Sequence, residues 1–558
     1  MQTAPGNNKR LKIYLPILFA VVLMAGFALG LNLRAPVEGS TEKKFFSIGF
    51  DRNDKINNVI NYIFDSYVDS IDREDLTEEA IQNILRDLDP HSAYVPASEF
   101  REMNDPLMGS FEGIGIEFNM ITDTVVVISP ISGGPSERAG IMAGDRIVAV
   151  EDEPIAGVRK STSEVVSLLK GRKGTEVNVT VIRRGVSETM EFNITRDKIP
   201  SYSLDIAYMP GDDIGYIRLN KFSATTHQEF VTALETLKSE GMGKLILDLR
   251  GNGGGFLDAA INIADEFLEQ QKLIVYTDGT KRDRNYAFAR RLGGFETQPL
   301  VVLIDEWSAS ASEIVAGAIQ DNDRGLILGR RSFGKGLVQE QVQLGDGSAL
   351  RLTVARYYTP SGRSIQKPYD NGREDYYADY MQRMLDGELE TADSIRFDDS
   401  LRYETINGRT VYGGGGIMPD IFIPLETGEQ TSFFNQVANR GIIYRFAFDY
   451  TDSRRSLLAG YADADTFVRD FRVGPAMYNE FLVFAKEEGV GPGEDNQSMS
   501  ETLVKNYLKA YIGRNLFGNE AFFPTQHASD PGFQKAMEIL KSDRAFSLLD
   551  PRQTEETL

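Results

Sequence analysis

The hydrophobic positions change their period several times along the chain. A continuous apolar run covers Ile13–Leu31, with Lys9, Arg10 and Lys12 ahead of it. At about 1.5 Å per residue it reaches roughly 28 Å, close to the thickness of a hydrocarbon core. The spacing predicts a transmembrane signal anchor over 13–33 behind a basic cytoplasmic N-terminus, 1–12. A cleaved signal peptide is the alternative, but no convincing small-residue cleavage site follows the run. Over 44–107 the period becomes helical: Ile56, Val59, Ile60, Ile63 and Phe64 share a face, and a second stretch, Glu78–Leu88, stops at Asp89-Pro90. The segment Leu88–Tyr94 has the composition of a turn. Residues 108–196 alternate instead, in short β-branched runs between glycines. Phe111–Phe118, Thr124–Ser129, Arg146–Val150 and Glu176–Arg183 read as strands, and Ser163–Lys170 as one short helix.

From 200 to 425 strands and helices alternate, which predicts an α/β core. Ile214–Leu219, Lys244–Leu249 and Leu300–Ile304 are the strands; Thr226–Glu240, Leu257–Gln270 and Ala309–Gln320 are the helices. The acidic stretch Arg373–Tyr403 reads as an irregular surface insertion. Residues 430–558 return to helical periodicity, for example Leu503–Leu516 and Phe533–Leu540, and suggest a helical domain for assembly or substrate enclosure.

Composition narrows the chemistry. At 558 residues the chain is too long for one core. Its 60 basic and 82 acidic residues leave a net charge of −22, which disfavours a phosphate backbone as partner. There is no cysteine, so disulfides, thiol nucleophiles and cysteine-bound metal are excluded. The three histidines, His91, His227 and His527, form no paired metal signature, and neither metal nor organic cofactor is expected.

Three segments carry candidate chemistry. The apolar strand Leu300–Ile304 runs into Asp305-Glu-Trp-Ser-Ala-Ser-Ala-Ser-Glu313, which puts Ser310 at a helix start. Unpaired N–H groups and the positive end of the helix dipole lie there, and the N–H of Ala311 is a ready oxyanion donor. Ser310 and Glu313 also satisfy a capping box, so the serine taken alone reads as a cap. In Ser332-Phe-Gly-Lys-Gly-Leu-Val-Gln339, Lys335 sits among apolar neighbours that would desolvate its ammonium and lower its pKa. An extended chain turns residues 335 and 339 to one face, so Gln339 can hold the amine. Finally, Asp248-Leu-Arg-Gly-Asn-Gly-Gly-Gly-Phe256 brings glycines between a strand and a helix. Gly251, Gly253 and Gly254 are candidates for the other half of an oxyanion hole.

Together, SASASEIVAGAIQD (Ser308–Asp321), SFGKGLVQ (Ser332–Gln339), DLRGNGGG (Asp248–Gly255), LTVARYYTPSGRSIQ (Leu352–Gln366) and GGGGIMPD (Gly413–Asp420) resemble the C-terminal processing peptidases. The resemblance covers about residues 55–425. It implies a crotonase-like α/β protease core with an inserted β-rich PDZ domain at 108–196; with the N-terminal helical segment and the helical C-terminal domain read from the periodicity, the expectation is a multidomain α/β protein. It also implies a Ser310/Lys335 dyad with Gln339 orienting the lysine. Asp321 aligns with an acidic residue sometimes considered a third member. It lies about 16 Å along the helix from Ser310, too far to touch it, and reads as structural.

Gly113, Ile114, Gly115 and Ile116 are similar to the carboxylate-binding loop of PDZ domains, and Ser136–Asp145 to the segment that follows it. The implied activity is serine endopeptidase action on extracytoplasmic proteins with free, apolar C-terminal tails. The implied setting is a single-pass protein of the inner membrane with its catalytic part in the periplasm, able to self-associate through its helical regions. A non-catalytic tail-binding scaffold and a crotonase-like acyl-CoA enzyme are the rival readings.

Overall fold

The computed structural model of the protein describes residues 54–542, apart from 122, 397, 426–427, 429 and 492–496, together with 546 and 549. Two compact units divide at Thr77/Glu78. In the first, the helix Lys55–Ser66 buries Ile60 and leaves Ile56, Val59, Tyr62 and Phe64 exposed. Among the described residues no helix is long and apolar enough to cross a membrane, which conflicts with a single-pass inner-membrane protein. That localisation is therefore corrected. The segment 13–33 from which it was read lies outside the described residues.

In the second unit the central sheet has the order Leu204–Tyr208, Ile214–Leu219, Lys244–Asp248, Leu300–Ile304, Leu326–Gly329, Ile421–Phe422. Its first pair is antiparallel and the other four are parallel. Parallel strands are covered on both faces, which is why their sequences are continuous apolar runs. On one face Leu247, Val302 and Ile304 pack against Phe230, Ile263, Ile314 and Val315 of three helices. On the other, Ile246, Val301 and Leu303 pack against Phe533, Ala536 and Leu540 of the helix Pro531–Lys541. The last helix expected in a separate C-terminal domain is thus a layer of the core.

A second, antiparallel sheet contains Ala93–Val95, Leu273–Gly279, Arg282–Phe288, Leu337–Gln343 and Ala349–Tyr358. The stretch Arg373–Tyr403, expected to be irregular, contains the helix Arg373–Leu385, which buries Tyr376 and Arg383. Its high charge hides an ordinary amphipathic period.

The strand expected over Phe111–Phe118 is broken into Ser110–Gly113 and Ile116–Ile121, because Gly115 adopts φ +75°. The first piece pairs with Asp197–Pro200, so the chain leaves the β-rich module beside the point where it came in. Between them a five-strand path, Ile116–Ile121 to Met190–Thr195, closes over Val125, Ile147, Val165, Val179 and Ile194. Helices from Ser432 to Phe517 form their own aromatic core around Phe433, Phe446, Phe467 and Phe481.

Candidate active site

Ser310 stands between the fully buried strand Leu300–Ile304 and the helix Ala311–Asp321, every residue of which is buried. Its backbone is at φ 55°, ψ −109°, a region costly for a side-chain-bearing residue. Such strain persists only where surrounding bonds over-determine it, and they do. Glu313 Oε2 accepts the Ser310 N–H at 2.8 Å and the Lys335 N–H at 2.9 Å. Glu313 Oε1 accepts the Ser332 hydroxyl at 2.5 Å and the Gly334 N–H at 2.7 Å. Burial raises the Glu313 pKa to about 7 against those four donors. The carboxylate half of the expected capping box is therefore present, and the same carboxylate also ties the serine turn to the lysine loop. Tyr357 adds a second tie: its Oη lies 2.6 Å from the Lys335 carbonyl and 3.1 Å from that of Ser310.

Ser310, Ala311, Gly253, Lys335, Gln339, Arg351 and Tyr357 line one cleft of about 260 Å³. Lys335 Nζ donates to Gln339 Oε1 at 2.9 Å, and Gln339 Nε2 donates to the His91 carbonyl at 2.7 Å. A register shift between Val338 and Gln339 re-aims the strand at this point. The His91 turn is itself fixed by Asp89, whose Oδ1 accepts from the N–H groups of His91 and Ser92, both at 2.8 Å. Burial holds the Lys335 ammonium below the ordinary lysine range, and the nearby Arg351 charge pushes in the same direction.

The glycine loop contributes less evenly than its composition suggests. The Gly251 N–H donates to Asp305 Oδ1 and the Gly254 N–H to Asn252 Oδ1, both at 2.9 Å. Both are already spent, the first on the segment that leads to Ser310 and the second within the loop. The Gly253 N–H has no such partner among the described residues, and Gly253 lines the cleft. Gly254, at φ +98°, instead provides close approach, since a Cβ there would lie 2.7–2.9 Å from Ala309 O, Ser310 Cβ and Ala311 N. The loop thus lies directly against the serine turn.

Asp321 is elsewhere. Its Oδ1 is 2.7 Å from Arg363 Nη2 and both side chains are fully buried, a structural ion pair. His227 pairs with Glu266, and His527 stacks on Phe533. Sequence reasoning does not find the turn at Asp89–Ser92, Tyr357 or Arg351 as parts of the site. The Asp89-Pro90-His91-Ser92 spacing, an Asp capping its own turn, is the one legible signal.

In the β-rich module the Ile114 carbonyl accepts from the Ser136 N–H at 3.0 Å and hydroxyl at 2.7 Å, which fixes the Gly113–Ile116 loop. No strand among the described residues pairs with the outer edge of Ile116–Ile121, where Ile116 and Phe118 are half-buried.

Known proteins match the same regions. Residues 213–372 match "Peptidase family S41", 113–194 "PDZ domain" and 433–518 a family of unknown function. The "Carboxy-terminal-processing protease" of Bartonella bacilliformis is 42% identical over 54% of this chain and 69% of its own length. The "Carboxy-terminal processing protease CtpA" of Bacillus subtilis is 32% identical over 64% of this chain and 76% of its own. A solved "Photosystem II D1 C-terminal processing protease" is 34% identical, covers 55% of this chain and 83% of its own, and superposes with a TM-score of 0.32. The chain belongs to the carboxy-terminal processing proteases, serine peptidases of family S41 with a PDZ domain.

Proposed function

We propose that Ser310 is the nucleophile and Lys335 the general base of a dyad, with Gln339 orienting the lysine. The observation that carries this reading is the Lys335 amine, desolvated and fixed by Gln339 in the cleft that holds Ser310. Neutral Lys335 takes the hydroxyl proton as Ser310 Oγ bonds to the scissile carbonyl carbon. The N–H groups of Ala311 and Gly253 receive the oxyanion; Gly251 and Gly254 drop out as donors because theirs are committed. The peptide C–N bond then breaks and the Lys335 ammonium returns its proton to the leaving amine. Water, deprotonated by the same lysine, releases the acyl group.

The PDZ module captures substrates by a free, apolar C-terminal tail, which adds as a strand beside Ile116–Ile121 with its carboxylate on the Gly113–Ile116 loop. The strand edge left unpaired among the described residues and the half-buried Ile116 and Phe118 support this. We take 108–196, 200–425 and 430–558 as the working division into PDZ, protease and helical domains, the last lending one helix to the core.

The test is cleavage of a protein with an apolar tail. Ser310→Ala and Lys335→Ala should each lower kcat by roughly four orders of magnitude or more. Activity surviving in Lys335→Ala rules out the dyad. Wild-type chain that binds the tail without cutting it makes the protein a scaffold instead. Amidating the substrate's terminal carboxylate should raise KM; an unchanged KM removes tail capture.

A further inference from the structure

The helix Pro531–Lys541 begins at Asp530, whose side chain caps it by accepting the Phe533 N–H at 3.1 Å. The same carboxylate makes a two-point ion pair with Arg250: Nη1 to Oδ1 at 3.0 Å and Nη2 to Oδ2 at 2.7 Å. Arg250 immediately precedes the glycine loop. Its Nε and Nη2 also reach Asp248 on the central strand, at 2.6–3.1 Å. Its carbonyl accepts from Arg218 Nη2 at 2.9 Å. Gly532 permits this closeness, since a Cβ there would lie 3.2 Å from Arg250 Nη1.

We propose that Asp530 is a positioning residue for the glycine loop, so that the helical C-terminal region completes the oxyanion-binding side of the active site. The inference rests on the dyad and oxyanion reading above. Two guanidinium groups, Arg218 and Arg250, share the fully buried Asp248. Asp205 is the second carboxylate for Arg218, and Asp530 the second for Arg250. Without the Asp530 carboxylate the Arg250 fork keeps its bonds to Asp248, but Nη1 loses its partner, and a donor in a largely buried site turns toward another acceptor.

A cavity of about 670 Å³ beside it gives the side chain room to turn, and Asp305 lines that same cavity. Asp305 is already the acceptor of the Gly251 N–H. An arginine that turns to it competes for that carboxylate and loosens the loop two residues before the Gly253 N–H. Misplacement of an oxyanion donor by about 1 Å is enough to cost up to about a hundredfold in rate.

The decisive variant is Asp530→Asn in the full chain. Asparagine keeps the helix cap, because it is as good an N-cap as aspartate, but loses the charge that holds Arg250. The expected result is a kcat lower by about tenfold or more. KM, tail-peptide affinity (measured in a Ser310→Ala background) and melting temperature should stay near wild type. Asp530→Glu should regain part of the rate. A peptide aldehyde, which forms a tetrahedral adduct with the serine, should bind Asp530→Asn more weakly in proportion to the kcat loss. A wild-type kcat in Asp530→Asn overturns the proposal. So does a loss that falls equally on kcat, tail affinity and melting temperature, because that is the mark of a purely structural residue. Ser310→Ala and Lys335→Ala run in the same assay: if either still cuts, it is the dyad reading that fails, whatever Asp530 does.

Discussion

Ser310 reaches the cleft from a parallel sheet buried on both faces, whereas Lys335 reaches it from the inner end of an antiparallel ribbon whose far end is exposed. On the serine side, backbone geometry does the holding. Gly254 packs onto the Ser310 turn, the Asn252 carbonyl accepts the Ala309 N–H at 3.0 Å, and the Ser312 hydroxyl reaches the same oxygen at 2.8 Å. On the lysine side a relay of side chains does it, from Lys335 through Gln339 to the carbonyl of His91. Glu313 and Tyr357 each touch both sides. A wall made of backbone tolerates almost no added volume. A wall made of a side-chain relay tolerates substitution gradually, and its chemistry can be tuned.

Gly254→Ala tests the rigid wall and should have the largest effect of these variants. The added methyl meets three backbone or Cβ atoms inside 3 Å and must adopt φ +98° besides. None of those atoms is the end of a flexible chain, so the Ser310 turn has to move. The expected loss in kcat is about a hundredfold or more, with tail binding by the PDZ module unchanged. A variant with kcat within threefold of wild type would mean that the loop does not set the serine's position.

Much of this contrast is legible in the sequence. The run Leu300–Ile304 with Ser308–Glu313 announces a buried strand feeding a helix start, and the pairing of Lys335 with Gln339 is found, although the strand begins only at Leu337 and a register shift, not plain alternation, turns Gln339 to the amine. The roles of individual N–H groups are not legible there. Gly251, Gly253 and Gly254 look alike in sequence, yet Asp305 and Asn252 occupy two of them. That assignment depends on side chains up to 54 positions away. The His91 turn, 248 residues before Gln339, is invisible for the same reason. The helix Pro531–Lys541 shows its amphipathic period clearly, but not that its apolar face lies on the central sheet. Period reports that a face is buried and leaves its partner open.

Gln339 tests the relay, and two substitutions there should differ in kind. Gln339→Ala leaves the lysine amine unheld and should lower kcat by about ten- to a hundredfold with KM little changed. Gln339→Glu keeps a hydrogen-bond acceptor for the amine but adds a negative charge beside it, which favours the ammonium. Its carboxylate also meets the His91 carbonyl, which has no proton to give. The loss should therefore be steepest at low pH and partly recover as pH rises, while the alanine variant stays low throughout. Parallel pH profiles for the two would remove Gln339 from the control of the lysine.

The smallest effect, and the one most specific to the lysine wall, is expected at Arg351. Its positive charge is the second cause, after burial, of the lowered Lys335 pKa. A base with a depressed pKa is free over a wider range, so activity should rise with pH through the Lys335 titration and level off above it. Removing the cation makes protonation of Lys335 easier, which raises its pKa and moves this acid limb to higher pH. Arg351→Gln, which keeps a polar side chain near its Gln341 contact, should therefore cut two- to threefold more slowly than wild type on the limb. The two enzymes should converge on the plateau. The sign follows from the charge alone: a limb that moves to lower pH, or a loss that persists on the plateau, would assign Arg351 to substrate contact in the cleft it lines rather than to tuning the base.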